Sequence, residues 1–298
     1  MLSLVSCITF ASLLLLVHTL PTAPIERRAI SSTQLSQFSL YEQYAAAAYC
    51  KGNNNLEGSI SCPSGNCPDV HNAGATSILE FQDLGVADAT GFVAVDDTNK
   101  LIVLSYRGST SLSNWIGNIN IDFNAFAPCS GCLVHRGFLS SWDDSKDSIT
   151  ATLTQAKSDH PDYSIAATGH SLGGAIATLA AADLRQQGFD IALYTYGSPM
   201  VGNADFANFV TGQNGGNYRV THAADAVPKL PGYLLDYRHV SPEYWINAPS
   251  NQAVSVGDIQ KSFGILDLWG NGGTLMATIS DHMWYFNEIG ACSSGFEL

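Results

Sequence analysis

Apolar positions recur along the chain with two different periods, and their order predicts strands interleaved with helices. Short, nearly continuous apolar runs typical of buried strands lie at 91–96, 101–106, 163–166 and 191–196, and a further strand is predicted at 217–222. Apolar positions at helical spacing lie at 34–49, 138–157, 175–185 and 204–211. The turn residues at 97–100 join the first two runs into a hairpin. Strands that alternate with helices predict an α/β fold with a mostly parallel central sheet flanked by helices.

The third apolar run leads into Gly169-His170-Ser171-Leu172-Gly173, which fits the pattern G-x-S-x-G between a strand and a helix. Gly169 and Gly173 lack a Cβ, so strand and helix can pack closely around a strained turn. The Ser171 hydroxyl then lies at a helix N-terminus, where free N–H groups and the helix dipole favour developing negative charge. The pattern predicts an α/β-hydrolase nucleophile. A glycine-rich turn of an ordinary α/β protein is the alternative.

A serine hydroxyl needs a general base, and in α/β hydrolases an acid and then a histidine follow the serine along the chain. Asp225 is the best-placed acid because it follows the strand run at 217–222. Three histidines come after Ser171. His222 is expected to be structural. His239 lies in the extended run 237–246 and is the second choice as base. His282 follows a glycine-rich loop, is expected to open the last helix, and is the preferred base.

Two neighbouring segments could complete an esterase site. Ser109 follows the strand run at 101–106, where an esterase places its second oxyanion donor; a simple strand-end turn is the alternative. The next segment presents four apolar residues on one face of a two-turn helix: Leu112, Trp115, Ile116 and Ile119. Gly117 and the polar residues between them make this a poor helix. A movable lid is therefore expected, with a packed core turn as the alternative.

The N-terminal segment has the composition of a secretion signal. Residues 1–20 contain a long apolar stretch, with an uncertain cleavage point between 20 and 23; an uncleaved membrane anchor is the alternative. Residues 21–28 end in Arg27-Arg28, which indicates a propeptide cleaved at a dibasic site. Residues 29–298 are then long enough for a single catalytic domain with a substantial core. We therefore expect a secreted, extracellular protein.

The acidic composition of the chain disfavours polyanionic partners. The formal net charge is −13, so electrostatic binding to nucleic acids or to anionic membranes is not expected. Any contact with lipid must be apolar. No cofactor, no metal and no obligate protein partner are expected.

Six cysteines follow the N-terminal segment, and an even number is typical of disulfide bonding in a secreted chain. They are Cys50, Cys62, Cys67, Cys129, Cys132 and Cys292. Cys62 with Cys67 and Cys129 with Cys132 are natural local pairs, which leaves Cys50 for Cys292. A zinc site built from the two close pairs is the competing interpretation.

The chain resembles the secreted filamentous-fungal triacylglycerol lipases of the class 3 lipase family, of the Thermomyces type. The matching runs are LIVLSYRGS (101–109), NWIGN (114–118), CSGC (129–132), PDY (161–163), TGHSLGG (168–174), YGSP (196–199), VPKLP (227–231), SPEYW (241–245) and HMWYF (282–286). They occur in order over nearly all of 29–298.

The resemblance implies an α/β-hydrolase-type fold and assigns roles to residues. It implies Ser171 as nucleophile, Asp225 as acid and His282 as base. It implies oxyanion donors at Ser109 and the N–H of Leu172. It also implies a lid in the Trp115 segment and the disulfides Cys50–Cys292, Cys62–Cys67 and Cys129–Cys132.

The expected function is a secreted triacylglycerol lipase that acts at a lipid–water interface, with interfacial activation by the lid. A lipase that prefers mono- and diacylglycerols or a feruloyl esterase is the alternative within the family. The apolar lid face favours lipids over phenolic esters. A catalytically silent lipid- or wall-binding protein is the remaining alternative, and the intact set of serine, acid, histidine and oxyanion donors disfavours it.

Overall fold

The computed structural model describes residues 30–54, 58–84, 89–117 and 120–293. The predicted signal peptide (1–20), the predicted propeptide (21–28) and the predicted first residue of the mature chain, Ala29, lie outside the described residues. Within them, no helix is long and apolar enough to cross a membrane.

A large twisted sheet runs through the described part of the chain, with α-helices on both faces. The strands are β1 (Thr76–Leu84), β2 (Ala89–Asp96), β3 (Leu101–Tyr106), β4 (Phe123–Ala125), β5 (Leu133–His135), β6 (Ser164–His170), β7 (Ile191–Tyr196), β8 (Asn217–His222), β9 (Glu243–Ile246) and β10 (Ile259–Ser262). The α-helices are α1 (Ser32–Ala47), α2 (Pro68–Ala73), α3 (Leu112–Gly117), α4 (Arg136–Asp159), α5 (Leu172–Gln186) and α6 (Ala204–Gly212).

The large sheet has the order β1-β2-β3-β6-β7-β8-β9-β10 among the described strands. Its centre, from β3 to β9, is parallel, and its outer pairs are antiparallel. The predicted α/β-hydrolase-type architecture, a mostly parallel sheet flanked by helices, is confirmed. Strands β4 and β5 form a separate antiparallel pair.

The register aligns the carboxyl ends of the central strands. Tyr106 at the end of β3 lies opposite Gly169 of β6, and His170 lies opposite Tyr196 of β7. Tyr196 in turn lies opposite Val220 of β8. Loops that follow these strands therefore emerge at one edge of the sheet, which is where an open α/β sheet places its binding crevice.

Alternate residues of each central strand bury their side chains in different cores. In β6, Ile165 and Ala167 face the core formed with α4 and α5, whereas Ala166 faces the core formed with α1. Helix α5 is almost wholly buried because its sequence is apolar on nearly every face. The sheet is thus covered on both sides, as a parallel sheet requires.

The predicted cysteine pairs are all present as disulfide bonds: Cys50–Cys292, Cys62–Cys67 and Cys129–Cys132. The zinc interpretation is therefore wrong, because all six thiols are used in covalent bonds. Cys50–Cys292 joins residues 242 positions apart and links the two ends of the described chain.

Local structure departs from the sequence pattern in a few places. The segment 51–75 contains the short helix α2, which begins at Pro68, as a first-turn proline allows. Ser31 caps α1, because its side chain accepts the Gln34 N–H. The run 237–246 is a strand only over Glu243–Ile246, and β1 was not predicted.

Candidate active site

Ser171 stands alone between β6 and α5, in the position that the G-x-S-x-G pattern predicts. Its backbone has φ 56° and ψ −128°, a conformation that non-glycine residues rarely adopt. Its N–H donates to the carbonyl oxygen of Tyr196 at 2.9 Å, so the neighbouring strand β7 holds the strained turn. The turn leaves the Ser171 side chain 1% exposed.

The flanking glycines are required by close backbone contacts. A Cβ on Gly169 would lie 2.4 Å from the Gly173 carbonyl group. A Cβ on Gly173 would lie 2.2 Å from the Tyr106 carbonyl oxygen at the end of β3. Neither contact is possible for a larger residue without moving backbone. The absence of two Cβ atoms therefore lets α5 begin directly against two strand ends.

Asp225 and His282 form a buried pair. The Nδ1 atom of His282 lies 2.9 Å from each carboxylate oxygen of Asp225, and both side chains are 0% exposed. A carboxylate only accepts hydrogen bonds, so Nδ1 carries the hydrogen. In the neutral ring, Nε2 is then the basic nitrogen. The pair fixes the tautomer that a general base for a hydroxyl requires.

Two further groups hold the Asp225 carboxylate. The Val227 N–H donates to Oδ1 at 2.9 Å, and the Tyr285 hydroxyl donates to Oδ2 at 2.6 Å. Burial, reinforced by the charge of Asp225, raises the pKa of Tyr285 well above its ordinary value, so this residue remains a donor. The side-chain amide of Asn271 donates to the Asp225 backbone carbonyl at 2.9 Å. These hydrogen bonds fix the position of the Asp225 carboxyl group.

His282 is held from the other side by His170, the residue before Ser171. The two rings lie 4.3 Å apart between centroids, and His170 Nε2 lies 2.9 Å from the His282 carbonyl oxygen. Burial, and then the proximity of His282, lowers the pKa of His170 well below its ordinary value, so His170 is neutral. Its Nε2–H therefore donates to that carbonyl, and its Nδ1 accepts from the Tyr49 hydroxyl at 2.7 Å.

The backbone at His282 differs from the prediction. Residues Ser280–His282 form one turn of 3₁₀-helix, and bends and turns follow it up to 293. The prediction that His282 opens a last helix is therefore wrong. The position is instead set by hydrogen bonds: the Asp281 carboxylate accepts the Ala224 N–H at 3.0 Å, and the Asp281 carbonyl lies 2.9 Å from His222 Nδ1.

Gly197 marks the place where the serine and the pair come together. It directly follows Tyr196, which accepts the Ser171 N–H. A Cβ on Gly197 would lie 2.8 Å from His282 Nδ1, 2.8 Å from Asp225 Oδ2 and 2.6 Å from the Tyr285 hydroxyl. Its φ of 57° also favours glycine.

Two functional atoms of the site have no hydrogen-bond partner. They are the Ser171 hydroxyl oxygen and His282 Nε2, both buried, and they are not bonded to each other in this structure. Buried polar atoms are nearly always paired, so each unpaired one calls for a reason. Catalytic hydrogen bonds are often loose before substrate binds, so an unpaired hydroxyl and an unpaired imidazole nitrogen at one site are what a nucleophile and its base would show.

The predicted oxyanion donors lie on either side of Ser171. Leu172 is the first residue of α5, and first-turn N–H groups have no partner within their helix. Ser109 follows Gly108, on which a Cβ would lie 3.0 Å from the Ser171 Cβ. The Ser109 hydroxyl, however, donates to the Ser111 carbonyl at 3.3 Å. Its side chain is therefore turned toward the start of α3.

The predicted lid segment contains a short helix, α3. Leu112 is buried, whereas Trp115 and Ile116 are half-buried. The Trp115 ring stacks on Phe138 of α4 with 6.3 Å between centroids. The fourth predicted lid residue, Ile119, lies outside the described residues. The helix thus rests on the body of the protein through a small contact next to Ser109.

The other two histidines that follow Ser171 in the chain, His222 and His239, form hydrogen bonds with backbone carbonyls elsewhere. His239 Nε2 lies 2.6 Å from the Pro228 carbonyl oxygen, and His222 Nε2 lies 2.8 Å from the Ala248 carbonyl oxygen. Burial lowers the pKa of His239 well below its ordinary value. The geometry therefore selects His282 as the partner of Asp225, as the sequence preferred.

Four residues of the site escaped the sequence-based prediction: Tyr49, Gly197, Asn271 and Tyr285. Tyr285 and Gly197 lie in runs that resemble the family, HMWYF and YGSP, but nothing in their spacing indicates a contact with Asp225. Tyr49 precedes a cysteine in an apolar helix end. Among the described residues, the one group of three potential metal ligands is Cys50, Cys62 and Cys292, and all three are in disulfide bonds.

The chain matches two protein-family models. Residues 103–234 match the family described as Lipase (class 3), and residues 4–78 match the Lipase 3 N-terminal region. The first match contains Ser109, α3 and Ser171 and extends past Asp225.

Individual relatives match over most of their length. The chain is 43% identical over 273 residues to the secreted mono- and diacylglycerol lipase A of Penicillium cyclopium, covering 90% of this chain and 89% of the relative. The crystal structure of a mono- and diacylglycerol lipase from Aspergillus oryzae superposes with a TM-score of 0.85 at 43% identity, covering 88% of this chain and 100% of the other. A triacylglycerol lipase with a serine-protease triad superposes with a TM-score of 0.77 at 30% identity, covering 89% of this chain and 99% of the other.

Proposed function

The chain belongs to the class 3 lipase family and is a carboxylic ester hydrolase, and from this premise we propose that it cleaves acylglycerols through an acyl-enzyme on Ser171. The observation that carries the assignment is the buried Asp225–His282 pair. It leaves His282 Nε2 as an unpaired base in the same site as an unpaired serine hydroxyl. A hydroxyl becomes nucleophilic when such a base takes its proton.

The proposed reaction follows from the hydrogen positions. His282 Nε2 takes the Ser171 proton while the Ser171 oxygen attacks the ester carbonyl, and Asp225 stabilises the resulting imidazolium. The Leu172 N–H and Ser109 bind the oxyanion. His282 then protonates the departing glycerol oxygen, and the acyl group remains on Ser171. Water, deprotonated by His282, attacks this ester. The bond between the acyl carbon and the Ser171 oxygen then breaks, His282 returns the proton to that oxygen, and the fatty acid is released.

We propose that Ser109 becomes available only when α3 moves. Its hydroxyl donates to the Ser111 carbonyl at the start of that helix, so a shift of α3 frees it to turn toward the oxyanion. The small contact of Trp115 with Phe138 is compatible with such a movement. Opening against a lipid surface would give interfacial activation.

The relatives favour one acylglycerol class over the other. The relatives at 43% identity are named mono- and diacylglycerol lipases, whereas the named triacylglycerol lipase is 30% identical. We therefore propose mono- and diacylglycerols as the preferred substrates, with triacylglycerol, the substrate expected from the sequence, as the second candidate. Initial rates on emulsions of mono-, di- and trioleoylglycerol decide between them, and methyl ferulate tests the esterase alternative.

The proposed place of action is extracellular. The Penicillium relative is named as secreted, and three disulfide bonds suit an oxidising environment. A signal peptide at 1–20 and a propeptide at 21–28 complete this proposal. N-terminal sequencing of the secreted protein tests it, since cleavage after Arg28 gives an N-terminal Ala29.

Substitution Ser171→Ala tests the proposed nucleophile. We expect a loss of roughly a millionfold in turnover of dioleoylglycerol, together with loss of labelling by a fluorophosphonate probe, which reacts only with an activated serine. Ser198→Ala is the matched control, because Ser198 is also buried but donates to the Pro199 carbonyl. Retained hydrolysis or labelling in Ser171→Ala would remove Ser171 from the mechanism.

A further inference from the structure

A carboxyl group without a cationic partner lies in the core, on helix α1. Glu42 is 0% exposed, and its Oε2 atom accepts a hydrogen bond from Nδ2 of Asn287 at 2.9 Å. Its Oε1 atom is also buried and has no hydrogen-bond partner. A lone carboxylate is very costly to bury, so such a group binds a proton instead. Burial accordingly raises the pKa of Glu42 well above its ordinary value.

The surroundings of α1 offer no positive charge to Glu42. Helix α1 packs against α2, β3, β6 and β7, and the C-terminal segment 283–293 supplies Asn287. None of these elements contains a lysine or an arginine. Of their two histidines, His170 is neutral because its pKa is lowered by burial, and His71 is exposed. Two carboxyl groups from outside, Asp96 and Asp225, are hydrogen-bonded to tyrosines of these elements. The other titratable groups on them are tyrosines or acids: Tyr41, Tyr44, Asp69, Tyr106, Tyr194, Tyr196, Tyr285 and Glu288.

Glu42 and Asn287 each have one oxygen left without a partner. These atoms are Glu42 Oε1 and Asn287 Oδ1, and they belong to two groups that already share one hydrogen bond. Asn287 Nδ2 also donates to the Asn66 carbonyl at 3.2 Å, so two acceptors identify it as the nitrogen. Two oxygens can bond only if one of them carries a hydrogen. A proton on Glu42 Oε1 supplies that donor and completes a second hydrogen bond between the acid and the amide.

Asn287 belongs to the turn that carries Tyr285. The Tyr285 N–H donates to the Asn287 carbonyl at 3.1 Å, and the Tyr285 hydroxyl donates to Asp225 Oδ2 at 2.6 Å. Hydrogen bonds therefore run from Glu42 on α1, through the turn 285–287, to the carboxyl group of Asp225.

We propose that Glu42 and Asn287 form a proton-dependent clamp that positions Tyr285, and through it Asp225, for catalysis. This inference rests on the proposed role of Asp225 in ester hydrolysis. While Glu42 is protonated, the clamp is closed and Tyr285 is held on Asp225. Loss of the proton leaves two acceptors without a donor and a buried charge without a partner, which drives the turn 285–287 away from α1. Glu42 is thus a positioning residue that acts through Tyr285.

The first test is Glu42→Gln, because glutamine has the same shape and replaces the acidic hydrogen with a permanent N–H donor. Rates on dissolved p-nitrophenyl butyrate are measured against pH, with spontaneous hydrolysis subtracted. Where Glu42 is protonated, kcat of the variant should stay within about twofold of the parent, since the clamp is kept. As the pH rises, kcat of the parent should fall about tenfold relative to the variant, with KM unchanged.

Glu288→Gln is the matched control. It also removes one carboxylate from the segment 283–293, but the Glu288 side chain is exposed. Its pH profile should follow that of the parent.

A second test measures stability and requires no activity. The folded protein binds the Glu42 proton more tightly than the unfolded chain does. This contribution to stability is therefore complete below the ordinary pKa of 4.5 and is lost as the pH rises to the pKa of the folded state. Over that window, the unfolding equilibrium constant of the parent should rise relative to Glu42→Gln by up to about tenfold per pH unit. Denaturant unfolding at a series of pH values measures this ratio.

A third test asks whether Glu42 acts through Tyr285. Glu42→Leu breaks the clamp at every pH and should lower kcat about tenfold with KM unchanged. Combined with Tyr285→Phe, it should lower kcat no further than Tyr285→Phe alone, because both changes remove the same hydrogen bond to Asp225. Losses that multiply in the double variant would overturn the proposed route.

The outcomes separate this inference from the proposed function. Equal pH dependence of stability in the parent and Glu42→Gln overturns the clamp. A pH-dependent difference in stability without one in kcat overturns the positioning role. Both differences, in a protein that hydrolyses p-nitrophenyl butyrate but no acylglycerol, support the clamp and refute the proposed function.

Discussion

The active site joins two regions that are built in opposite ways. The first, which we call the catalytic corner, comprises Ser171, Asp225, His282, His170 and Tyr285, and all five side chains are almost completely buried. The second, which we call the approach, comprises α3 and the loops that carry Leu234, Trp269 and Leu275. Apart from the buried Leu112, its large apolar side chains are half-buried or exposed.

The difference lies in what holds each region in place. In the catalytic corner, hydrogen bonds from Tyr285, Val227 and His282 fix the Asp225 carboxylate, and His170 fixes the backbone of His282. In the approach, Leu112 is buried and Trp115 stacks on Phe138, whereas Leu234 and Leu275 project fully into solvent. Chemistry requires preorganised dipoles, whereas access to an insoluble substrate requires a surface that can meet lipid.

This comparison makes a general prediction about substitutions. A change in the catalytic corner should reduce hydrolysis of dissolved and emulsified esters alike, because both depend on the same chemical step. A change in the approach should affect emulsified substrates alone. Three of the four predictions below apply that distinction and one concerns stability, and they begin with the largest effect.

Substitution Asp225→Asn should have the largest effect of the four. An amide in place of the carboxylate permits the wrong His282 tautomer and removes the charge that stabilises the imidazolium, so kcat should fall by about 10⁴ on both kinds of substrate. Steady-state rates on p-nitrophenyl butyrate and on dioleoylglycerol measure this. Asp236→Asn, an exposed neighbour in the next loop, is the control and should keep full activity. A loss confined to emulsions would contradict the assignment.

Removal of the Cys50–Cys292 disulfide should lower the free energy of unfolding of the protein. The bond closes a loop of 242 residues, and the chain-entropy model gives an upper value of about 5.5 kcal/mol of unfolding free energy for it. Denaturant unfolding of the Cys50→Ser, Cys292→Ser double variant measures the loss. Removal of Cys129–Cys132, which spans only 3 positions, should cost about 2 kcal/mol. If removal of either disulfide lowered the unfolding free energy equally, loop length would not determine how much a disulfide stabilises this protein.

Substitution Tyr285→Phe tests whether the Tyr285 hydroxyl helps to position Asp225. It deletes one charge-assisted hydrogen bond to the carboxylate, and kcat should fall about tenfold with KM unchanged, because the bond acts through His282 and not through substrate. Tyr106→Phe is the control: its buried hydroxyl bonds to Ser145, outside the site, so only stability should change. A rise in KM without a fall in kcat would refute a positioning role.

Substitution Trp115→Ala should have the smallest effect and should be confined to interfaces. It removes the stacking on Phe138, worth about 0.5–1.5 kcal/mol, and so favours the open position of α3 roughly two- to tenfold. The rise in rate on passing from dissolved to emulsified tributyrin should shrink by that factor. If neither the parent nor the variant shows such a rise, α3 is not a lid.

The strands and helices predicted from local sequence patterns are mostly present in the tertiary structure. The predicted strand at 191–196 coincides with β7, because a strand buried on both faces is mostly apolar. The predicted strand at 217–222 coincides with β8, although Arg219 and His222 within it are buried polar residues that are satisfied by hydrogen bonds to backbone carbonyls. The prediction failed where the local pattern was ambiguous. The segment after Asp281 has apolar residues but forms turns held by long-range hydrogen bonds, and α2 is too short to show a period.

The sequence by itself determined the class of fold, the elbow at Ser171 and the candidates for acid and base, because apolar periodicity and glycine spacing are local properties of the chain. Only the tertiary structure decided between His239 and His282, brought Tyr285 and His170 onto the pair, and placed the loop that ends at Thr278 beside Asp225. Those contacts join residues tens to hundreds of positions apart, and it is strand order and register, which no local pattern encodes, that bring them within hydrogen-bonding distance.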